Sequence, residues 1–270
     1  MMFGKPLDLQ GPPIGRSNSS EGRHLHPGKG EFIIKARRNS RPSGRGEISG
    51  FPLRRIAAGR GSSVQRVTAI PFPGLILKRI LDVILSCAAL LLLWPLLLVI
   101  ALAVKLESSG PILYASLRAG QKGKKFICYK FRTMVDKADE LKSLLRHFNE
   151  RQDPFFKMVN DPRVTRLGRF LRKYSLDELP QFWNVLKGNM SLVGPRPHPI
   201  DDYMRYRPAD HRRLEVKPGI TGLWQVIARK NPSFETCMAL DLEYVKRWNL
   251  LLDCKILLWT IPAVLAGEGQ

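Results

Sequence analysis

From Val83 to Val104 the chain runs for 22 residues with a single polar member, Ser86. No other segment constrains the fold as tightly. A helical run needs about 20 residues to cross a bilayer, and this one is long enough. A buried core helix is the alternative reading, and lipid is the better match for a stretch apolar on every face. Lys78, Arg79 and Asp82 stand before the run, and Lys105 and Glu107 after it. Charge then bears on whether it crosses. Residues 1–69 carry 13 Lys/Arg against 4 Asp/Glu, a net +9, which leaves +12 of the total +21 for the remainder. A single crossing would place these two basic parts on opposite sides, which the positive-inside rule resists. Pro95 lies near the middle of the run, where it removes one backbone hydrogen bond and crowds the preceding turn. The expectation is therefore a helix-break-helix hairpin over residues 75–107 that enters and leaves by one leaflet. Backbone groups opened near Leu91 to Trp94 would find partners within the protein.

Residues 1–69 also hold 11 of the 22 glycines and 6 of the 20 prolines. That composition cannot repay its ordering entropy, so a flexible basic tail lying against anionic lipid is expected. An excess of 44 Lys+Arg over 23 Asp+Glu calls for an anionic partner: nucleic acid, a lipid surface or a phosphorylated substrate. Cys87, Cys128, Cys237 and Cys254 lie far apart and form no C-x-x-C pair, which speaks against a disulfide scaffold or a zinc site. Residues 108–267 read as a globular catalytic domain. Phe126 to Phe131 alternate like a strand, Asp136 to about Asn149 show a helical pattern, and a further helix is expected to start at Ser175. Trp248 to Ala266, rich in Leu, Ile and Trp with isolated charges at Asp253 and Lys255, has an interfacial character.

The densest chemistry lies between Asp161 and Pro197. Asp177 and Glu178 are adjacent and surrounded in sequence by Arg163, Arg166, Arg169, Arg172, Lys173 and Arg196. Carboxylates within such a field suit a phosphate site. Ser175-x-x-Glu178 also has the spacing of a capping box, with Ser175 as N-cap, Glu178 at N3 and Asp177 favoured at N2 by the helix dipole. The two readings can coexist, because a helix start also binds anions. In phosphoryl transfer a carboxylate can attack phosphorus and divide one displacement into two. Magnesium, held by one or two carboxylates and by phosphate oxygens, would neutralise a diphosphate, and arginine would clamp it.

Four segments, Lys130-Phe-Arg-Thr-Met134, Ser175-Leu-Asp-Glu-Leu-Pro-Gln181, Ser191-Leu-Val-Gly-Pro-Arg-Pro197 and Lys217-Pro-Gly-Ile-Thr-Gly-Leu-Trp-Gln225, follow the Pro-broken apolar run in that order. Together they resemble the bacterial sugar transferases, the polyprenol-phosphate phosphoglycosyl transferases of the monotopic type. The likeness extends from Lys78 to about Gly267. It implies an α/β membrane-associated monotopic domain with a re-entrant helix hairpin and interfacial amphipathic helices, on the cytoplasmic face of a bacterial inner membrane. It further implies that Asp177 is the nucleophile and a ligand of Mg2+, with Glu178 as its partner. Lys130, Arg132 and Arg196 would contact the nucleotide-sugar phosphates. Arg118 keeps the family pattern, and Asp241 is the C-terminal match assigned to substrate binding. Two positions depart from the pattern: Trp94 stands where many relatives carry Ser, and Ser116 where they usually carry Gln. The implied reaction moves hexose-1-phosphate from UDP-glucose or UDP-galactose to undecaprenyl phosphate through a covalent Asp-phosphosugar, yielding UMP, at the first membrane step of exopolysaccharide, capsule or O-antigen synthesis. A homo-oligomer is left open.

Without the neighbouring motifs, Lys130 and Arg132 would read as a solvated strand edge, and Lys217 to Gln225 as a Pro-Gly turn leading into a strand. Two other functions stand beside the implied one. A Leloir-type glycosyltransferase would release UDP in place of UMP. A membrane-tethered nucleic-acid-binding or scaffold protein would account for the basic charge, but it leaves Asp177-Glu178 and Pro-Arg-Pro unexplained and has no recognition motif.

Overall fold

A computed structural model describes residues 72–138, 140–142, 158, 160–229, 233–267 and 269. The expected basic tail lies outside the described residues, as does most of the expected helix after Asp136. Its described part is a turn followed by a single 3₁₀ turn at Glu140–Lys142.

The apolar run forms one helix, α1 (Phe72–Glu107), of 36 residues. The helix is continuous through Pro95, in place of the expected helix-break-helix. Proline removes one intrahelical bond, and the Leu- and Ala-rich turns on both sides favour helix strongly enough to carry it through. The helix is long and apolar enough to cross a membrane. Its middle is open, with Leu91, Leu92 and Trp94 exposed.

Both ends of α1, by contrast, are held by the globular part. Lys78 Nζ pairs with Asp253 Oδ2 at 2.5 Å and donates to the Val193 carbonyl at 3.0 Å. Arg79 donates to the carbonyls of Val185 and Leu186 at 2.6 and 2.9 Å. Asp82 Oδ1 accepts from Leu192 N and Ser191 Oγ. At the other end Ile100 and Val104 are buried with Phe131 and Leu171, and Glu107 accepts from Leu167 N. Four of the five charges that bracket the run in sequence, Lys78, Arg79, Asp82 and Glu107, are thus its anchors. Between them Ser86 is fully buried and its hydroxyl has no partner among the described residues. Because an unsatisfied buried hydroxyl is destabilising, Ser86→Ala is expected to raise stability by about 1 kcal/mol, a shift of about 3 °C in a melting curve. A lower melting temperature would mean that the hydroxyl is bonded after all.

After α1 the chain makes an antiparallel hairpin of β1 (Leu113–Ala119) and β2 (Lys125–Phe131), with Leu113 opposite Phe131 and Tyr114 opposite Lys130. The strand read from alternation at Phe126 to Phe131 is β2, and Phe126, Cys128 and Phe131 are its buried members. Next comes α2 (Arg166–Lys173), capped by the Thr165 hydroxyl on Gly168 N at 2.9 Å. A 3₁₀ turn at Leu176–Glu178 leads to α3 (Gln181–Leu186) and β3 (Ser191–Val193). Then follow α4 (Ile200–Tyr203), a 3₁₀ segment at Pro208–Glu215, and β4 (Gly219–Thr221), which pairs in parallel with β3. The remaining helices are α5 (Leu223–Ile227), α6 (Phe234–Arg247) and α7 (Leu250–Leu265). The expected α/β class is present as mixed helix and sheet, built on two separate two-stranded sheets.

Asp253 joins several of these elements. Beside Lys78 it accepts from the Tyr244 hydroxyl at 2.8 Å and from Trp248 Nε1 at 3.1 Å, which ties α1, α6 and α7 together. On α7, Leu252, Asp253 and Ile256 are buried, while Leu251, Leu258, Ile261 and Leu265 are exposed. All four cysteines are free thiols.

Candidate active site

A cavity of about 1340 Å³ opens between β2, α2, the 3₁₀ turn, the segment after β3, and α5. The turn carries Asp177 and Glu178. Pro180 has no N–H to continue a helix from Ser175, so the chain makes one 3₁₀ turn and begins α3 afresh at Gln181. Ser175 adopts a left-handed conformation (φ 55°) and makes no cap bond. Its hydroxyl accepts from Arg229 Nη2 at 2.5 Å. The capping box expected from the Ser175/Glu178 spacing is therefore not formed, and Glu178 turns to the cavity's cations.

Those cations come from two distant segments. Lys130 Nζ on β2 lies 2.6 Å from Glu178 Oε1, and the Arg196 fork grips the same carboxylate at 2.5 and 3.2 Å. Lys130 is thus turned inward, not left on a solvated strand edge. The guanidinium of Arg196 and the ammonium of Lys130 hold the Glu178 carboxyl far below its usual range despite its burial. In return Glu178 keeps Arg196 charged although it is buried.

Asp177 has a different setting one residue away. It is 6% exposed and lines the cavity. Its closest cation is Lys130, at 3.6 Å, beyond hydrogen-bond distance. Burial pushes its carboxyl above the usual value, and Lys130 offsets this only in part. Two adjacent carboxylates are therefore split: Glu178 organises the cations, and Asp177 faces the cavity without a hydrogen bond from the described residues.

The other expected site residues fall in three places. Arg118 lines the cavity, and its Nε donates to Ser116 Oγ at 2.9 Å, so the departure at Ser116 supplies that arginine's acceptor. Its Nη1 reaches the Pro197 carbonyl at 3.3 Å. Arg132 also reaches the cavity wall but is 7% exposed. Its Nη2 is bound to the Val104 and Ser108 carbonyls and to Ser108 Oγ, closing the end of α1, while Nε and Nη1 have no hydrogen-bond partner among the described residues. Asp241, expected to touch substrate, is not on the cavity wall. It is fully buried on α6, where Oδ2 accepts from Arg213 and Oδ1 has no hydrogen-bond partner among the described residues. An inward face of a helix packed on the 3₁₀ segment leaves it no route to solvent.

Arg172 was given no role of its own by its position in a basic run, yet it lines the cavity on α2. Its Nε donates to Thr133 Oγ1 at 2.9 Å, and Asp177 is the carboxylate that most offsets its burial. Its signal in the sequence was spacing: Thr165, Gly168 and Arg172 recur on one face of α2. Also lining the cavity, Trp224 Nε1 and Gln225 Oε1 are buried without a hydrogen-bond partner among the described residues. No group of three His, Cys, Asp or Glu side chains converges among the described residues.

The chain matches the profile of the family described as bacterial sugar transferase over residues 74–267. It is 44% identical over 199 residues to the exopolysaccharide production protein ExoY of Rhizobium meliloti (strain 1021), which covers 72% of this chain and 87% of that one. Against the galactosyl transferase CpsE of Streptococcus agalactiae serotype III (strain NEM316) it is 42% identical over 196 residues, 72% of this chain and 43% of the relative. Against the UDP-glucose:undecaprenyl-phosphate glucose-1-phosphate transferase of Escherichia coli (strain K12) it is 42% identical over 194 residues, 69% of this chain and 39% of the relative. The chain thus spans less than half the length of the latter two. Every cavity feature above, from Lys130 through the Asp177-Glu178 turn to Arg196 and Trp224, falls inside the matched residues, and the chain belongs to the bacterial sugar transferase family.

Proposed function

We propose that this protein transfers hexose-1-phosphate from a UDP-sugar to undecaprenyl phosphate through a covalent intermediate on Asp177. The observation that carries this reading is the split pair: Glu178 takes both cations, and Asp177 is left facing a cavity large enough for a nucleotide sugar. An Asp177 oxygen attacks the phosphorus that bears the sugar, and the bond from that phosphorus to the UMP oxygen breaks. UMP leaves with the electron pair. An oxygen of undecaprenyl phosphate then attacks the same phosphorus and returns the carboxylate. Lys130, Arg196, Arg118 and Arg172 supply positive charge where phosphoryl oxygens would lie. The names of the relatives, among them the glucose-1-phosphate transferase, support the reaction class.

Magnesium belongs to this proposal. Both Glu178 oxygens are engaged, so Asp177 is the carboxylate of the pair free to hold the ion, and Mg2+ commonly takes one or two protein carboxylates with water and phosphate completing its shell. When bound, it would neutralise diphosphate charge.

The proposed membrane arrangement rests on α1. Its two ends are tied to the same folded unit, through Lys78, Arg79 and Asp82 at one end and through Ile100, Val104 and Glu107 at the other. A segment that crossed fully would carry one end away from that unit. Entry and exit by a single face, which this favours, requires α1 to bend within the bilayer, and Pro95 is where a bend costs least; the cytoplasmic face and an interfacial seat for the exposed residues of α7 are part of the proposal.

The deciding assay incubates the full chain in membranes with labelled UDP-glucose or UDP-galactose, Mg2+ and undecaprenyl phosphate. Label in the organic phase with release of UMP is expected. Release of UDP would assign a Leloir glycosyltransferase, and no transfer from any UDP-sugar would overturn the reading.

A further inference from the structure

The Pro195-Arg196-Pro197-His198 segment has no regular secondary structure, yet its backbone is held at every residue. Gly219 N donates to the Pro195 carbonyl at 3.0 Å, and Ala119 N to the His198 carbonyl at 3.1 Å. Arg118 reaches the Pro197 carbonyl at 3.3 Å. The Arg196 carbonyl receives the shortest bond of the four, 2.6 Å from Arg213 Nη2. Prolines at 195 and 197 have no N–H of their own, so donors must come from elsewhere in the fold.

Arg213 is itself locked. It is 1% exposed; its Nε and Nη2 lie 3.0 and 2.5 Å from Asp241 Oδ2, and its Nη1 donates to the Tyr206 hydroxyl at 2.5 Å. Tyr206, having accepted that bond, has its own proton for His198 Nδ1 at 2.7 Å. Burial and the Arg213 charge keep His198 well below its usual value, so the imidazole is neutral and can accept. One guanidinium therefore braces Arg196 twice: directly at its carbonyl, and through Tyr206 at the ring two residues on. Beyond that carbonyl, the Arg196 side chain leads straight to Glu178.

We propose that Arg213, oriented by Asp241, is a positioning residue that sets the direction of the Arg196 guanidinium toward Glu178 and the substrate diphosphate. It touches no reacting atom. The inference rests on the phosphosugar-transfer reading for what Arg196 binds, and on the bond network alone for how Arg196 is held. Asp241 thereby serves the site from outside the cavity.

The test separates bracing from mere stability. Replacing a buried ion pair by apolar residues of similar volume is commonly tolerated by the fold, so Arg213→Met combined with Asp241→Leu should melt within a few degrees of wild type. Its turnover should fall about 10- to 100-fold, the effect usual for a partner that orients a site residue. Arg196→Ala alone should cost about 10²- to 10³-fold. Combining all three changes should cost no more than Arg196→Ala, within about twofold, because Arg213 acts through Arg196. The same cycle is read by calorimetry on inorganic diphosphate, which needs no turnover. If the apolar pair does not fold, Arg213→Lys replaces it in the cycle, since an ammonium keeps the charge but cannot span Asp241, Tyr206 and the Arg196 carbonyl together. Wild-type turnover in the variant, or losses that multiply with those of Arg196→Ala, would overturn the inference while leaving the proposed function intact. A wild type that neither releases UMP nor binds diphosphate would overturn both.

Discussion

Asp177→Asn is expected to abolish transfer, lowering turnover by roughly 10⁴-fold or more, the scale seen when a nucleophile is removed. The side chain keeps its volume, but an amide oxygen cannot attack phosphorus and leave again as a carboxylate. Folding should be untouched or slightly improved, because burial already disfavours the ionised form of Asp177 and no described hydrogen bond depends on it. No helix cap is at stake either, since Ser175 is left-handed and bonded to Arg229. Wild-type enzyme given UDP-sugar and Mg2+ without acceptor should release UMP in a stoichiometric burst, and mass spectrometry of the quenched protein should find sugar-phosphate on the peptide containing Asp177. Near-normal turnover by the Asn variant, or an adduct elsewhere, would end the covalent mechanism.

Gly219→Ala is expected to cost about 3 kcal/mol or more, at or beyond the upper end of ordinary overpacking, because what it meets is backbone. A Cβ at Gly219 would lie 2.1 Å from Gly194 N and 2.4 Å from Thr221 O. Neither atom can move without opening the β3–β4 pair, where Gly194 N donates to the Thr221 carbonyl at 2.9 Å. The damage should reach catalysis, since Pro195 and Arg196 follow directly from that contact and Gly219 N holds the Pro195 carbonyl. Chemical denaturation should show a lower midpoint, and any protein that remains folded should lose turnover beyond what its stability explains. A fully active, wild-type-stable variant would mean that the strands approach less closely than 2.1 Å implies.

This glycine contact shows how two of the segments that made the chain's resemblance specific depend on each other. Val193-Gly194-Pro195 and Pro218-Gly219-Ile220 are separated along the chain, and the second alone reads as a turn. Packed as parallel strands, they require glycine on both sides. Lys130 and Glu178 give a similar lesson. The acidic pair and its basic field were legible from the order of residues, whereas for Lys130 the residues alone allowed a solvated strand edge and the family resemblance alone implied a phosphate contact; its 2.6 Å contact with Glu178 turns it into the cavity. Local spacing misled in one case and the family pattern in another. Ser175 and Glu178 stand three residues apart, as a capping box requires, but Pro180 and the Arg229 bond turn them to other partners. Asp241 carried a family-like position, but α6 buries it against Arg213.

By itself the sequence determined what depends on neighbours within a few residues: a helix long enough for a membrane, charges at both its ends, a strand at Phe126 to Phe131, and an acidic pair in a phosphate-suited field. Only the tertiary structure decided which charges meet. Lys130, Glu178 and Arg196 converge from a strand, a 3₁₀ turn and a loop; the Glu178 contacts span 48 and 18 residues of chain. The same packing divided the labour between Asp177 and Glu178. Adjacent carboxylates have nearly identical sequence surroundings, and their protonation and freedom to react depend on which cation lies within hydrogen-bond reach and how much water is excluded, quantities that exist only once distant segments have packed.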